Sequence, residues 1–594
     1  MSAIRRVAWF GAFVAVLWGT ARGDTSLPEK PRIVSVHFEG NRVFEERRLY
    51  RLMTSRPSTW LRRSRYNPEA LKEDLKNLEL FYRQNGYLEA RIAEHGVAVD
   101  STRNEAKLSV QVFEGDLTRV EGVSVFGNRA FSNEELLGRI PIRAEDPFQR
   151  AKIEDAIQSL LALYADNGYL DAQSASDARV NTQTHRVLID FTVREMAQYK
   201  IGQIRLAGLE KTRPHVVRRE LSFRPDQTVD YSLLLKSQRR LYLTGLFQSV
   251  FLRPQPPSSG DATEKDILIE LRELPSREFN VSLGYDSIER MRGKVEVSNR
   301  NLAGTARKLG LAARMSFIHR SLEASFTEPW TFGTPWRADV TLTSDAAETP
   351  GYRQRRLGGG VTFGRAFLRR STVTFAHRQE KVSLRDIRVT PAPEKTEVHL
   401  RSMKLSFLYD ARDDLFNSTD GSYLEWSNEL VGSFLGGTEH FFRSVGRLKR
   451  FYPLNPSTIL ATALEAGWVD REDLPLNERF YAGGPTSLRG FEDQRAGPLD
   501  QNRIPMGGSF KVVWNVLEIR RSLYGMVGGV LFAEAGNVWS RSEDFSFRDL
   551  RPAVGLGLRV NTPIGLIRLD YGRNLDRRPG EPGSKLYFSM GQAF

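Results

Sequence analysis

Alternation of apolar and polar residues is the first regularity in the chain, and it recurs three times in the N-terminal half. Val36-His37-Phe38-Glu39-Gly40, Val123-Ser124-Val125-Phe126-Gly127 and Ile204-Arg205-Leu206-Ala207-Gly208 each read as a short strand ending at glycine, at intervals of about 80 residues. Each is followed by an amphipathic helical stretch that ends in tyrosine and a glycine turn: Tyr82 to Gly86, Tyr164 to Gly168, and a version one residue shorter, Tyr242 to Gly245. Leu71, Leu75 and Leu78 in the first, and Ile153, Ile157, Leu160 and Leu161 in the second, fall on one helical face. Two strands close each unit. The last alternates clearly: Leu108, Val110 and Val112; Val187, Ile189, Phe191 and Val193; Ile267, Ile269 and Leu271. These stripes read as core, in α+β repeats over 31–115, 117–195 and 199–274 that place one helical layer on a small sheet and leave at least one strand edge open.

From Glu273-Leu274-Pro275-Ser276 onward the texture changes. Short alternating segments are separated by Gly, Asn, Asp and Pro turns, with aromatics near segment ends. Phe279, Val281, Leu283 and Tyr285 alternate with Asn280, Ser282 and Gly284; at the far end Leu586, Phe588, Met590 and Phe594 share one parity, interrupted by Gln592. Residues 276–594, at about 20 per strand with its connection, accommodate about 16 antiparallel strands, an even number suited to an all-β transmembrane barrel. A propeller would show a repeating blade, and no such period is present.

Composition agrees. Hydrophobic types make up 40% of the 594 residues and mean hydropathy is -0.40, too polar for a helical membrane protein. A barrel hides in such averages because its lipid-facing residues alternate with lumen-facing ones. Arg5 and Arg6, the apolar run Val7 to Trp18 and Ala21-Arg22-Gly23 predict a signal peptide over 1–23. Cys 0 means neither disulfides nor thiolate metal sites. The net charge of +14 is spread without a nucleic-acid-binding motif, so the expected partners are acidic lipid head groups and acidic polypeptides, with no nucleic acid. The 8 histidines lack metal-ligand spacing, and neither a P-loop nor a nucleophile–base motif is present, so neither an enzyme nor a cofactor is expected. Gly358-Gly359-Gly360 reads as close strand packing.

Several motifs in the strand-rich half resemble the BamA/TamA superfamily of outer-membrane assembly barrels. Asn299-Arg300-Asn301-Leu302-Ala303-Gly304 and Thr327-Glu328-Pro329-Trp330 are similar to its early strand–loop signatures, and Tyr409-Asp410-Ala411-Arg412-Asp413-Asp414 with Gly421 to its mid-barrel turn. Gly483-Gly484-Pro485-Thr486-Ser487-Leu488-Arg489-Gly490-Phe491 resembles the Arg-Gly-Phe tip of the loop that folds back into the family's barrel lumen. The three repeats resemble its POTRA domains, the number being more like TamA than BamA. The resemblance implies Leu488, Arg489, Gly490 and Phe491 as a lumen-loop motif, with Glu534 as loop partner where relatives usually carry Asp, and the aromatic Phe594 as a terminal assembly signal. A guanidinium inside a barrel needs carboxylates to offset desolvation, which gives that pairing a physical basis.

The implied function is assembly or insertion of outer-membrane proteins. Unfolded outer-membrane or secreted polypeptides are received by the repeats and pass a weak seam between the first strand (Phe279, Val281, Leu283, Tyr285) and the last (Leu586, Phe588, Met590, Phe594). The expected location is the outer membrane of a Gram-negative bacterium, repeats in the periplasm, with membrane lipid and a periplasmic or inner-membrane accessory protein as partners. The alternative is a two-partner polypeptide secretion transporter, which usually has two POTRA domains and an N-terminal plug helix.

Overall fold

The computed structural model describes residues 30–58, 64–415, 417–562 and 565–591; the signal-like segment 1–23 and Phe594 lie outside the described residues. Among the described residues, those up to Gln203 with 223–234 and 255–266 form one compact unit, and 204–222, 235–254 and those from 267 onward form a second.

Each repeat has a three-stranded sheet with its last strand in the middle. In the first, β1 (Arg32–Glu39), α1 (Glu46–Leu52), α2 (Pro68–Gln84), β2 (Arg91–Asp100) and β3 (Glu105–Phe113) give the order β1-β3-β2. The second, with β4 (Arg119–Phe126), α3 (Asn133–Arg139), α4 (Arg150–Asp166), β5 (Gln173–Asn181) and β6 (Arg186–Arg194), has the order β4-β6-β5. The third has β7 (Lys200–Ala207), α5 (Pro214–Arg218), α6 (Tyr231–Leu243), β8 (Phe247–Gln255) and β9 (Glu264–Glu273), ordered β7-β9-β8. In the first two, the opening strand runs parallel to the central one and the other edge strand antiparallel.

The alternating residues of the central strands are the core. Leu108, Val110 and Val112 pack with Leu71, Leu78 and Tyr82 of α2, and Val187, Ile189, Phe191 and Val193 with Ile153, Leu160 and Tyr164 of α4. Burial of each such side chain contributes about 1.5–3 kcal/mol. Asn67 accepts from the Glu69 amide ahead of Pro68, which defines where α2 begins. Every repeat also has a short first helix, α1, α3 and α5, where only one helix per repeat is expected from periodicity. These elements run 7, 7 and 5 residues, too short to display a 3.6-residue period.

A carboxylate at the end of each central strand organises the turn after the opening strand. Glu114 accepts from Tyr82 Oη at 3.0 Å and the Val43 amide at 3.1 Å. Glu195 accepts from Tyr164 Oη at 2.9 Å and from the Arg129 and Ala130 amides at 2.6 and 2.8 Å. Glu273 accepts from the amides of Glu210, Lys211 and Thr212 at 3.2, 3.1 and 2.8 Å. The third repeat departs from the pattern: Tyr242 is 60% exposed and takes no part. Gly127, at φ +85°, starts the turn in the second repeat, where a Cβ would collide with the carbonyl of Val193.

The turn at the end of the long helix is also the joint to the next domain. The Gly86 carbonyl accepts from the Thr118 amide and the Gly168 carbonyl from the Tyr199 amide, both at 2.9 Å. At the equivalent place in the third repeat, the Gly245 carbonyl accepts from Arg300 Nη1 at 2.7 Å, a residue of the barrel.

The remaining strands form a closed barrel of sixteen in sequence order. They are β10 (Arg277–Asp286), β11 (Arg290–Leu302), β12 (Arg307–Ser316), β13 (His319–Glu328), β14 (Arg337–Glu348), β15 (Arg353–Leu368), β16 (Ser371–Arg385) and β17 (Glu397–Asp410). Then follow β18 (Gly421–Val431), β19 (Phe441–Asn455), β20 (Thr458–Val469), β21 (Phe510–Tyr524), β22 (Val527–Trp539), β23 (Arg551–Thr562), β24 (Gly565–Asn574) and β25 (Ser584–Gly591). One parity turns Leu283, Leu311, Leu342, Leu531, Leu556 and Leu586 outward as an exposed apolar surface; the other lines the lumen with charged and small residues. In β15, a Cβ on Gly358, Gly359 or Gly360 would crowd the carbonyls of Gln379, Thr341 or His377, so the glycine run permits close strand approach. Because β10 starts beside the third repeat, the β11–β12, β13–β14 and subsequent alternate turns are on the repeat side, and the segment 470–509 emerges on the opposite side.

Burial pushes the Glu195 carboxyl upward, but hydrogen bonds from the Arg129 and Ala130 amides and from Tyr164 outweigh it and hold the group below the usual carboxylate range. Its contribution to folding is therefore complete above the ordinary carboxylate pKa and is lost as pH falls through the lower folded value. In urea unfolding of fragment 31–274 followed by circular dichroism, Glu195→Gln should cost about 1.5–3 kcal/mol at neutral pH. The difference from the unmodified fragment should shrink on acidification below about pH 4.

Candidate functional site: a loop held in the barrel lumen

The segment 470–509 joins β20 to β21 and folds back inside the barrel. Gly483 and Gly484, at φ +111° and +98°, turn it sharply; a Cβ on Gly483 would strike the Glu492 carbonyl. The loop closes on itself as the Gly484 amide donates to the carbonyls of Leu488 and Phe491, each at 3.2 Å. Leu488 and Phe491, both buried, pack with Ala482 and Ala496 against Val513, Val538 and Ala553 of the barrel wall.

Between these apolar contacts Arg489 is buried among carboxylates. Its amide donates to Glu534 Oε2 at 2.8 Å and its Nε to Glu534 Oε1 at 2.7 Å, while Nη2 reaches Glu518 Oε2 at 2.6 Å. Asp570 stands 3.7 Å from Nη1. The guanidinium also lies 3.5 Å from the centre of the Phe532 ring. Two inward glycines make room: a Cβ on Gly555 would collide with the Phe532 ring, and one on Gly572 with the Arg489 carbonyl. Tyr587 Oη of β25 donates to the Phe491 carbonyl, and Lys585 pairs with Glu492 at 2.6 Å. The loop thus contacts β21, β22, β23, β24 and β25.

The structure places Arg489 against Glu534, whose carboxylate accepts from both the amide and Nε of the arginine. Glu518 and Asp570 are not among the expected partners, whereas Phe532 opens the strand Phe532-Ala533-Glu534-Ala535-Gly536 that the resemblance implies as the loop's partner. For Glu518 the reason is a bulge. β21 shifts register between Asn515 and Leu517, so Lys511 and Val513 face inward before it and Glu518 and Arg520 after it, against simple alternation. Inward Gly555 and Gly572 were the available signal for a close approach.

The base of the same segment has a second anchor. Glu478 is buried; its Oε2 accepts from Arg443 Nη2 at 2.8 Å, its carbonyl accepts from the same nitrogen at 2.6 Å, and Arg378 lies 3.9 Å away. Arg378 in turn pairs with Glu429 at 2.9 Å and Glu380 at 3.0 Å. Leu474 and Leu476 pack there with Tyr352, Leu384, Val398 and Phe441.

On the repeat side, the early barrel motifs bind the third repeat. Asn301 Nδ2 donates to Thr212 Oγ1 at 2.8 Å and Arg213 Nε to the Ala303 carbonyl at 3.1 Å. Trp330 Nε1 donates to Glu220 Oε1 at 2.6 Å, with Arg219 and Arg240 over its ring at 5.6 and 5.9 Å. Arg300 joins Gly245 to Glu278 of β10. The mid-barrel motif lies at the end of β17, where Arg412 pairs with Asp410 at 2.6 Å.

The first and last strands meet over a short ladder. Among the described residues, Gly284, Tyr285 and Asp286 pair with Gly591, Met590 and Ser589, whereas all 10 residues of β10 pair with β11. Ser287 adds hydrogen bonds to the Phe588 carbonyl and amide, and the Tyr285 and Phe588 rings lie 5.8 Å apart. Phe279, Val281 and Leu283 point outward, and no described residue of β25 stands opposite them. Leu586 is paired with Tyr571 of β24 and also faces outward.

A sixteen-stranded barrel with an apolar outer surface, a charged lumen and an arginine-held loop, carried behind α+β repeats, defines an outer-membrane barrel with periplasmic domains. The chain matches the Omp85 superfamily domain over residues 301–594 and the POTRA family, described as a surface antigen variable number repeat, over 31–115, 118–196 and 199–274. It belongs to the Omp85 superfamily, with three POTRA repeats ahead of the barrel domain. It is 26% identical to an outer membrane protein assembly factor BamA of Nitratidesulfovibrio vulgaris, covering 89% of this chain and 68% of the relative. To BamA of Neisseria meningitidis serogroup B it is 23% identical, covering 95% and 78%. The crystal structure of Haemophilus ducreyi BamA lacking POTRA domains 1–3 superposes with a TM-score of 0.67 at 18% identity, covering 80% of this chain and all of that one, and so shares the fold.

Arg489→Ala leaves the carboxylate of Glu534 buried without its cation and Glu518 with Arg520 alone, a change that costs about 3–5 kcal/mol. Its barrel should lose heat-resistant mobility in cold SDS electrophoresis at a lower temperature and become open to protease within 470–509. Glu478→Gln should expose the same segment to protease while the Arg489 contacts persist.

Proposed function

We propose that this chain is an outer-membrane protein assembly factor: its periplasmic repeats receive unfolded polypeptide, and its barrel aids insertion at the junction of β10 and β25, without a covalent step. In this reading the functional divisions are the three repeats 31–115, 117–195 and 199–274 and the barrel from 276, with an accessory protein delivering clients to the repeats. The observation that carries it is how the two sides of the junction of β10 and β25 are braced. The third repeat is fastened to the turns of β11–β12 and β13–β14 and, through Arg300, to β10; the lumen loop is fastened to β21 through β25. The seam lies between these two braced groups, so it can part without either set of contacts breaking.

The energetics favour exchange of partners over simple opening. Each unpaired backbone group exposed to lipid costs several kcal/mol, so the edges of an open seam require new partners. A client strand supplies them, and the same pairing satisfies the client's own groups as it enters the membrane. The repeats have open edges for an earlier encounter: β2 and β5 are edge strands of their sheets and largely solvent-exposed. Leu488, Arg489, Gly490 and Phe491 hold the lumen loop, Glu534 supports it, and the described seam residues form the gate.

Reconstituted into liposomes, the chain should accelerate folding of an unfolded outer-membrane barrel, and Arg489→Ala should diminish the rate. Transport of polypeptide into the vesicle interior without accelerated folding would favour the secretion alternative. Tyr285→Cys with Met590→Cys, in a chain with no native cysteine, should stop the acceleration when oxidised and restore it when reduced; undiminished activity in the oxidised form would exclude seam opening.

A further inference from the structure

Beneath the loop lock, on the repeat side of the lumen, is a cavity of about 550 Å³. It extends from Arg489, Glu518 and Glu534 to Ser457, Gly525 and Asn561 at the turns of β19–β20, β21–β22 and the end of β23. Its walls carry eight arginine and lysine side chains against four carboxylates. The carboxylates are already engaged. Glu534 and Glu518 hold Arg489, Glu518 also pairs with Arg520 at 2.7 Å, Asp570 with Arg559 at 2.7 Å, and Glu465 with Lys511 at 3.0 Å.

The excess charge gathers in two lobes on different walls. On one, Lys449 of β19 stands within electrostatic reach of Arg412, which Asp410 holds at 2.6 Å, and of Arg447, which Glu425 holds at 3.1 Å; on the other, Arg568 of β24 stands within reach of Arg559 and Arg520, which Asp570 and Glu518 hold. Neither Lys449 nor Arg568 has an ion-pair partner among the described residues, and Arg568 is exposed to the lumen. Like charges held together inside low-dielectric walls focus a positive field on the space between them and attract a mobile anion.

We propose that this mouth of the lumen is a binding site for an acidic segment of polypeptide, a reading that rests on the delivery of clients from the repeats. The continuous strand wall separates the cavity from lipid, so a phospholipid's acyl chains do not accompany its head group there while the seam is closed. Two separated cationic lobes match carboxylates spaced along an extended chain, at about 3.3 Å per residue, better than a single phosphate. The site adds a recognition step beyond backbone pairing: a client whose leading segment is acidic is held at the lumen mouth, next to the loop lock.

The test is equilibrium binding of fluorescein-labelled hexaglutamate to the purified full chain in uncharged detergent, at low and high salt. Hexaglutamate should bind in a salt-sensitive manner and hexaglutamine should not. Lys449→Gln with Arg568→Gln should weaken hexaglutamate at least tenfold with unchanged cold-SDS mobility, while Lys107→Gln with Lys236→Gln in the repeats should have little effect. Equal binding by the Lys449/Arg568 variant, equal binding of both peptides, or no binding would overturn the site. Displacement by inorganic phosphate at concentrations equal to the peptide would overturn its assignment to polypeptide. Client folding in liposomes is measured separately. A chain that accelerates folding without binding hexaglutamate refutes the site and leaves the assembly reading intact; one that binds without accelerating folding does the reverse.

Discussion

Every backbone N–H and C=O in the hydrocarbon layer has to be hydrogen-bonded, and a sheet meets that demand only by pairing its last strand with its first. Much of this barrel follows from that requirement. Sixteen strands in sequence order close through one contact between elements that are remote in the chain, β10 and β25, and that contact has a shorter described ladder than its neighbours. Closure is therefore obligatory, and it rests on the junction of the first and last strands of the sheet. Its two flanks are held by other means: the third repeat on one, the lumen loop on the other.

The loop shows how a charged group becomes a structural fastener. Arg489 is buried, which is costly for a lone guanidinium, and the cost is offset by short hydrogen bonds to Glu534 and Glu518 and by the face of Phe532. Leu488 and Phe491 supply the apolar burial on either side. Glu478 repeats the device with inverted sign, a buried carboxylate between Arg443 and Arg378. A loop held at its tip and its base by opposite charges on different strands has one well-defined path through the lumen.

The repeats use one turn for two purposes. The glycine that ends the long helix exposes a carbonyl that accepts from the next domain: from Thr118, then Tyr199, then Arg300 of the barrel. The barrel thus occupies the place of a fourth repeat at this joint. The early barrel motifs, Asn299–Gly304 and Thr327–Trp330, surround that place, which gives their residue types a physical account: Asn301 and Trp330 bring side-chain donors to Thr212 and Glu220.

Local periodicity was enough to reveal the repeats, a barrel of about 16 strands and the alternation of Phe279 to Tyr285, because strand and helix periods are written residue by residue. The Arg-Gly-Phe motif and Glu534 were legible through family resemblance and the need of a buried cation for a carboxylate. Three things were decided only by tertiary structure. The short helices α1, α3 and α5 form without a readable period; Glu518 faces the lumen because a bulge reverses the parity of β21; and Phe532 lies under Arg489 because glycines on neighbouring strands leave space. Alternation along one strand specifies a side chain's face, but which charges share a lumen depends on register between strands, and register is a property of the closed barrel.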